Sequence, residues 1–169
     1  HTRGASVLPP LPRPETTDRP ETLREIVIAL EGSPLPVVFP VHPRTRAVLE
    51  SLGASMGNLK LIEPVGYLDM LSLESDAAAI VTDSGGVQEE SCLVGVPCVT
   101  VRRNTERQVT IEAGSNRLVA ATSDAVSSGL ADALGSPRGW EVPEMWDTSV
   151  ASRVSAAILD GVRPLNGYG

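Results

Sequence analysis

Lysine, cysteine and aromatic side chains are all scarce in this chain. Lys60 is the single lysine among 169 residues, and Asp and Glu outnumber Lys and Arg by 21 to 14, giving a formal charge of −7. Broad electrostatic contact with a nucleic-acid backbone is thereby disfavoured, so any anionic ligand has to be small and locally held. Two cysteines, Cys92 and Cys98, cannot make a disulfide framework, and neither belongs to a CxxC pair or a His-rich tract of the zinc-binding kind. That usage leads one to expect a reducing, cytoplasmic setting. Aromatics are 3% of the chain, which leaves few stacking platforms and puts core building on Val, Leu, Ile and Ala. No apolar run approaches the roughly 20 residues that cross a bilayer. The N-terminal residues also lack the charged-then-apolar order of a signal peptide, and no membrane partner is expected.

What is present is ordinary for a globular domain: 41% hydrophobic and 21% charged residues exclude a disordered tail, a collagen-like chain and a coiled coil. Residues 1–169 are expected to form one domain with a single layered core. The runs at 36–41, 59–62, 78–81 and 97–101 are short, β-branched and nearly unalternated, as strands buried on both faces are. Residues 6–12 occupy the place of a first strand, although Pro9, Pro10 and Pro12 would remove ladder donors from it. Helical spacing recurs in Leu23, Ile26, Val27 and Leu30, in Val126, Leu130 and Leu134, and in Val150, Val154 and Ile158. Strand and helix alternation predicts an α/β, Rossmann-like parallel sheet with helices on both faces, its ligands lying outside the carboxyl ends of the strands. Residues 135–146 read as a loop joining two helices, and 161–169 as a frayed end.

The stretch Thr82-Asp83-Ser84-Gly85-Gly86-Val87-Gln88-Glu89-Glu90 follows the strand at 78–81 and opens a helix whose apolar face would include Val87, Leu93 and Val94. Two glycines at such a turn let the backbone approach a ligand, and the helix start offers free N–H groups and the positive dipole end, a combination suited to phosphate. Glu90, one turn further on, is placed to accept hydrogen bonds from a ribose diol. The same residues equally fit a Ser84 N-cap, glycines that only make the turn, and a solvated Glu89 and Glu90. After the strand ending at Val101 comes Arg102-Arg103-Asn104-Thr105-Glu106-Arg107, a polar loop at the same sheet edge, and arginine forks suit phosphate oxygens. Cys92 and Cys98 read as small buried hydrophobes on a helix and a strand.

Thr82 to Glu90, the Thr105-Glu106-Arg107 loop and Glu112-Ala113-Gly114-Ser115-Asn116-Arg117-Leu118-Val119 together resemble the non-hydrolysing UDP-N-acetylglucosamine 2-epimerases. Pro40-Val41-His42-Pro43-Arg44, Glu63-Pro64-Val65-Gly66-Tyr67-Leu68, Trp140 and Trp146-Asp147 extend the likeness over nearly the whole chain. The resemblance is to the C-terminal, nucleotide-binding half of a two-domain GT-B-type enzyme, without its N-terminal domain. It implies that Ser84, Gly85 and Gly86 hold a diphosphate, Arg107 the β-phosphate, Glu90 the ribose hydroxyls, and the Val65 backbone with Met70 the uracil. Met70 stands where the family often has an aromatic; by spacing alone it continues an apolar helix face with Leu68, Leu71 and Leu73. His42 matches a histidine used for a second, allosteric UDP-GlcNAc molecule, a site in which Arg13 is also implied, although a lone strand-end histidine fits a structural hydrogen bond as well. The family's His-Arg-Pro-Glu-Asn run falls on Pro12-Arg13-Pro14-Glu15-Thr16, where Pro12 offers neither a titratable group nor an N–H.

The implied chemistry inverts C2 of UDP-GlcNAc by loss and re-addition of UDP and needs neither metal nor nicotinamide. Its acid and base carboxylates belong to the absent domain, so no catalytic residue is expected here and the chain alone is expected not to turn over. The implied partners are UDP or UDP-GlcNAc, and either an N-terminal domain or a second copy of the chain. A non-catalytic nucleotide-sugar-binding module and half of a UDP-sugar glycosyltransferase share the same phosphate edge, and the sequence leaves both open.

Overall fold

The computed structural model describes residues 4–11, 16, 18–53, 57–136 and 138–161. Six strands form one parallel sheet: β1 (Val7–Leu8), β2 (Val37–Pro40), β3 (Leu59–Ile62), β4 (Ala79–Thr82), β5 (Cys98–Val101) and β6 (Asn116–Val119). Their spatial order is β3-β2-β1-β4-β5-β6, with all five pairings parallel. This is the doubly wound arrangement, and its order reverses between β1 and β4, where a crevice opens beyond the strand ends.

Alternation along the strands splits the apolar residues between two faces. Val7, Val37, Phe39, Ala79, Val81, Val99 and Val101 pack with Leu23, Ile26, Val27 and Leu30 of α1 (Pro20–Glu31), Leu49 of α2 (Pro43–Ser51), and Val126 and Leu130 of α6 (Ser123–Gly135). Leu8, Ile80 and Cys98 face the other way, toward Met70 and Leu73 of α3 (Tyr67–Asp76) and Val87 of α4 (Gly85–Val94). Two residues refine this packing. Gly129 of α6 lies so close to the sheet that a Cβ there would come 2.8 Å from Val119 Cγ1. Gly95 ends α4 at φ +75°, a conformation that favours glycine.

Several details differ from the sequence reading. The first strand is only Val7–Leu8, because Pro9 and Pro10 follow at once and carry no N–H for the ladder. A sixth strand, β6, joins the sheet; it is an edge strand of mixed polarity, only half-buried beyond Asn116, and so lacks the apolar run that marks the others. The buried face of α4 is Val87, Gln88, Ser91 and Cys92, and Leu93 is 53% exposed. On α3 the packed residues are Met70, Leu73 and the buried Glu74, whereas Leu68 is exposed, since 68 and 70 cannot share a helical face. The short α5 (Gln108–Glu112) follows the arginine loop, and 136–149 lead to α7 (Val150–Gly161), whose Val154, Ile158 and Leu159 are exposed. Within 136–149, Trp140 Nε1 donates to the Cys92 carbonyl at 3.0 Å. Of residues 161–169, expected to fray, Gly161 instead ends α7, and 162–169 lie outside the described residues, as do Pro12 to Glu15.

Each sheet rim carries a cation at its second position. Lys60 on β3 is exposed, and Arg117 on β6 is half-buried and bonded to Ser136 Oγ.

Candidate functional site

The crevice between β1 and β4 widens into a cleft of about 560 Å³, whose lining includes Pro10, Leu11, His42, Met70, Ser84, Gly86 and Glu90. One wall is the start of α4. Thr82, at the end of β4, donates through Oγ1 to the Pro10 carbonyl at 2.6 Å, tying the ends of β1 and β4 together across the switch point. The same oxygen accepts the Ser84 amide at 3.1 Å, and Ser84 Oγ accepts the Val87 amide at 3.4 Å as the helix N-cap. The cap therefore serves Val87, and Gly85 and Gly86 supply the remaining donors of the first turn.

Neither glycine is demanded by the fold. Positive φ occurs at Gly4, Gly53, Gly95, Gly114 and Gly139, and not at Gly85 or Gly86. A Cβ on Gly85 would meet nothing nearer than Arg107 Cζ and Nη2 at 4.0 Å, and one on Gly86 nothing nearer than Ser84 Oγ at 3.9 Å. Alanine would fit at both. What a Cβ would obstruct is the open side, where a ligand could rest on bare backbone.

Arg107 brings its guanidinium to this turn from the loop after β5, with Nε 2.6 Å from Glu89 Oε1 in an ion pair. Glu89 is thus half-buried against an arginine and is not a free solvated group. Arg102, by contrast, is a bidentate partner of Glu106, at 2.9 and 3.1 Å, leaving Arg107 as the member of the loop nearest the glycines.

The far wall is α3. The Tyr67 phenol lies against the Glu90 carboxylate, which holds the phenol above its usual pKa through a hydrogen bond and its charge. Glu74 lines the same cleft, is fully buried, and neither of its oxygens has a hydrogen-bond partner. Burial, reinforced by the nearby Glu90 charge, pushes its carboxyl up to about 7. The sequence reading missed Glu74; its signal is a carboxylate four residues after Met70, on the face that should be apolar. His42 stands at the mouth as the N-cap of α2, Nδ1 accepting the Arg44 amide at 3.3 Å, while Arg44 pairs with Asp18 at 2.7 Å. A structural hydrogen bond and a place in the cleft lining are both true of it.

The structure thus gathers Ser84, Gly86, Glu90, Met70 and His42 around one cleft and sets Gly85 and Arg107 side by side at its α4 wall. Val65 is half-buried just before α3 and is not among the lining residues; Arg13 lies outside the described residues. Cys92 and Cys98 are both free and buried, and burial pushes the Cys98 thiol up to about 12.

Comparison with known proteins gives this arrangement a family. The family model described as UDP-N-acetylglucosamine 2-epimerase matches residues 3–159. The chain belongs to the UDP-N-acetylglucosamine 2-epimerase family. A UDP-N-acetylglucosamine 2-epimerase of Methanococcus maripaludis is 41% identical over 142 residues, which cover 79% of this chain and 39% of that one. A UDP-2,3-diacetamido-2,3-dideoxy-D-glucuronate 2-epimerase of Pseudomonas aeruginosa is 43% identical over 132 residues, covering 76% and 37%. The crystal structure of the Methanocaldococcus jannaschii UDP-GlcNAc 2-epimerase in complex with UDP-GlcNAc and UDP superposes with a TM-score of 0.80 at 36% identity, covering 95% of this chain and 46% of that one. The chain therefore spans less than half the length of these relatives, and its sheet is that of GT-B-type epimerases. Among the described residues no helix is long and apolar enough to cross a membrane.

Proposed function

We propose that this chain is the nucleotide-binding, C-terminal domain of a UDP-sugar 2-epimerase, taking UDP and UDP-GlcNAc in the cleft beyond β1 and β4. The observation that carries the reading is the pair Gly85 and Gly86. They are glycines that neither φ nor packing requires, they begin a helix at the topological switch point, and the Arg107 guanidinium lies 4.0 Å from where a Cβ on the first of them would sit. A diphosphate would lie on these amides with Arg107 at its β-phosphate, Glu90 would accept the ribose hydroxyls, and the base would rest on Met70 beside the Val65 backbone. His42 and Arg13 are assigned to a second nucleotide-sugar molecule. Residues 1–169 are read as one domain working in the cytoplasm.

In the reaction, the bond from the sugar C1 to the diphosphate oxygen breaks with its electron pair passing to UDP, while the C2 proton leaves to a base. Re-addition of UDP to the resulting 2-acetamidoglucal, with protonation from the opposite face, inverts C2. This domain's part is electrostatic: Arg107 and the α4 amides stabilise charge as it develops on the leaving diphosphate. The base and acid are assigned to a partner domain. The exposed stripe Val150, Val154 and Ile158 on α7, at four-residue spacing, supports such a partner, since a buried face is what that pattern ordinarily serves. The Pseudomonas relative is described as acting on a different sugar at similar identity, and UDP is the part common to both descriptions.

Calorimetry with UDP, UMP and uridine tests the reading. UDP should bind, uridine much more weakly, and Glu90→Ala should cost on the order of 1–3 kcal/mol. Absence of UDP binding at millimolar ligand would end the proposal. The isolated chain should exchange no C2 proton of UDP-GlcNAc in heavy water; deuterium incorporation would refute the assignment of acid and base to another domain.

A further inference from the structure

Behind the glycine turn the chain holds a buried assembly of hydroxyls and amides that pair with one another. Gln88, one turn into α4, is fully buried: its Nε2 donates to the Ser84 carbonyl at 3.0 Å, and its Oε1 accepts from Thr105 Oγ1 at 2.6 Å and from Asn116 Nδ2 at 3.2 Å. Thr105 Oγ1 in turn accepts the Arg107 amide at 3.0 Å. Asn116 Nδ2 also donates to Thr110 Oγ1 at 3.0 Å, and Thr110 Oγ1 donates to the Arg107 carbonyl at 2.7 Å. Thr100 Oγ1 completes the set by donating to Asn116 Oδ1 at 2.7 Å. Both main-chain polar groups of Arg107 are therefore held by hydroxyls linked to Gln88, whose opposite end holds the N-cap residue of the glycine turn.

A fold can fill such a space with apolar side chains at little or no loss, because removing both partners of a buried hydrogen bond together is nearly neutral. What a fully satisfied polar network adds is one fixed geometry. That geometry here sets two pieces of backbone, at Ser84, which lines the cleft, and at Arg107, whose guanidinium reaches the Gly85 turn.

We propose that Gln88 and Thr105 are positioning residues that hold Arg107 at the Gly85 turn, so that a nucleoside diphosphate meets its arginine and its helix amides already in register. The proposal rests on reading the cleft as a UDP site. Preorganisation of this kind lowers the ordering cost of binding and falls on the diphosphate end of the ligand alone.

Thr105→Val is the decisive variant, since it deletes the bridging hydroxyl at nearly constant shape; Thr105→Ser keeps the hydroxyl. UDP and UMP affinities of both are measured by calorimetry beside urea unfolding. We expect Thr105→Val to lose about tenfold or more for UDP and at most a few-fold for UMP, with Thr105→Ser restoring the ratio. Gln88→Met, similar in length and volume, repeats the test from the other end of the link and serves if Thr105→Val does not fold. A parallel fall of UDP and UMP in step with stability would show a merely structural role and overturn the proposal. So would an unchanged ratio in both variants, with the UDP reading left standing. A wild-type chain that does not bind UDP would overturn both together.

Discussion

Glu74 is the residue whose replacement should change the stability of this chain most informatively. Its carboxyl is fully buried, has no hydrogen-bond partner, and sits beside the apolar cluster of Leu8, Ile80, Val87, Met70 and Leu73, with Glu90 close enough to add repulsion. Burial first and the Glu90 charge second raise its pKa from 4.5 to about 7. The folded state then binds the proton more tightly than the unfolded chain, so stability from this group is fully present below pH ~4.5, falls as pH rises toward 7, and is level above that. At one pKa unit per 1.36 kcal/mol the loss by pH 8 is about 3 kcal/mol. Glu74→Leu removes the ionisable group and fills the same place with apolar atoms. It should stabilise the chain by about 2–3 kcal/mol at pH 8 and by much less at pH 5. Urea unfolding of the wild type and the variant at pH 5, 6, 7 and 8 reads this as a difference that opens with pH. Glu90→Gln should move the midpoint of that opening to lower pH, because it removes the second cause of the shift. A difference that stays constant with pH, or a Glu74→Leu chain that is less stable than the wild type at pH 8, would refute the account of Glu74 as an uncompensated buried carboxyl.

Three further outcomes can be checked alongside. Gly85→Ala should leave stability unchanged or raise it by about 0.4–1 kcal/mol, as expected where φ is compatible and the Cβ has room, yet weaken UDP binding measured by calorimetry; equal UDP affinity would mean the glycine serves nothing at the cleft. Gly129→Ala should destabilise by about 1–3 kcal/mol in urea unfolding, because its Cβ would lie 2.8 Å from Val119 Cγ1 and 3.2 Å from Val99 Cγ1, and Val119→Ala in the same chain should recover part of the loss. Arg107→Met should weaken UDP more than UMP by about 1.5–3 kcal/mol and flatten the salt dependence of UDP binding; equal losses would remove Arg107 from the β-phosphate.

Much of this architecture is legible in the sequence because parallel strands buried on both faces have a plain signature. The runs ending at Val41, Ile62 and Val101 each contain an observed strand, the run at 78–81 overlaps β4, which continues to Thr82, and the spacing of Leu23, Ile26, Val27 and Leu30 marks the inner face of α1. The glycine turn is equally visible, since a strand, two glycines and a helix follow one another directly. What escapes notice depends on partners distant in sequence. Gln88 looks like one more polar helix residue until Thr105 and Asn116, 17 and 28 residues away, close around it. Glu74 reads as a surface acid because its one local signal, the spacing from Met70, marks a packed face only once Met70 and Leu73 are seen against Leu8 and Ile80 of the sheet. Leu93 misleads for a related reason: α4 buries polar Gln88 and Ser91 and leaves that leucine exposed, and hydrophobicity alone predicts the reverse.

The cations on the two rims bear on how copies of this chain behave in crowded solution. An open sheet ends in rows of amide and carbonyl groups that a second sheet can extend, and such strand-to-strand growth is a common route to insoluble material. A neighbour adding to β3 would have to strip water from Lys60, and one adding to β6 would have to accommodate Arg117, which is already tied to Ser136. A chain with a single lysine has placed it where it guards an unpaired edge. Replacing it with valine should leave the cleft untouched and lower the concentration at which the protein remains clear.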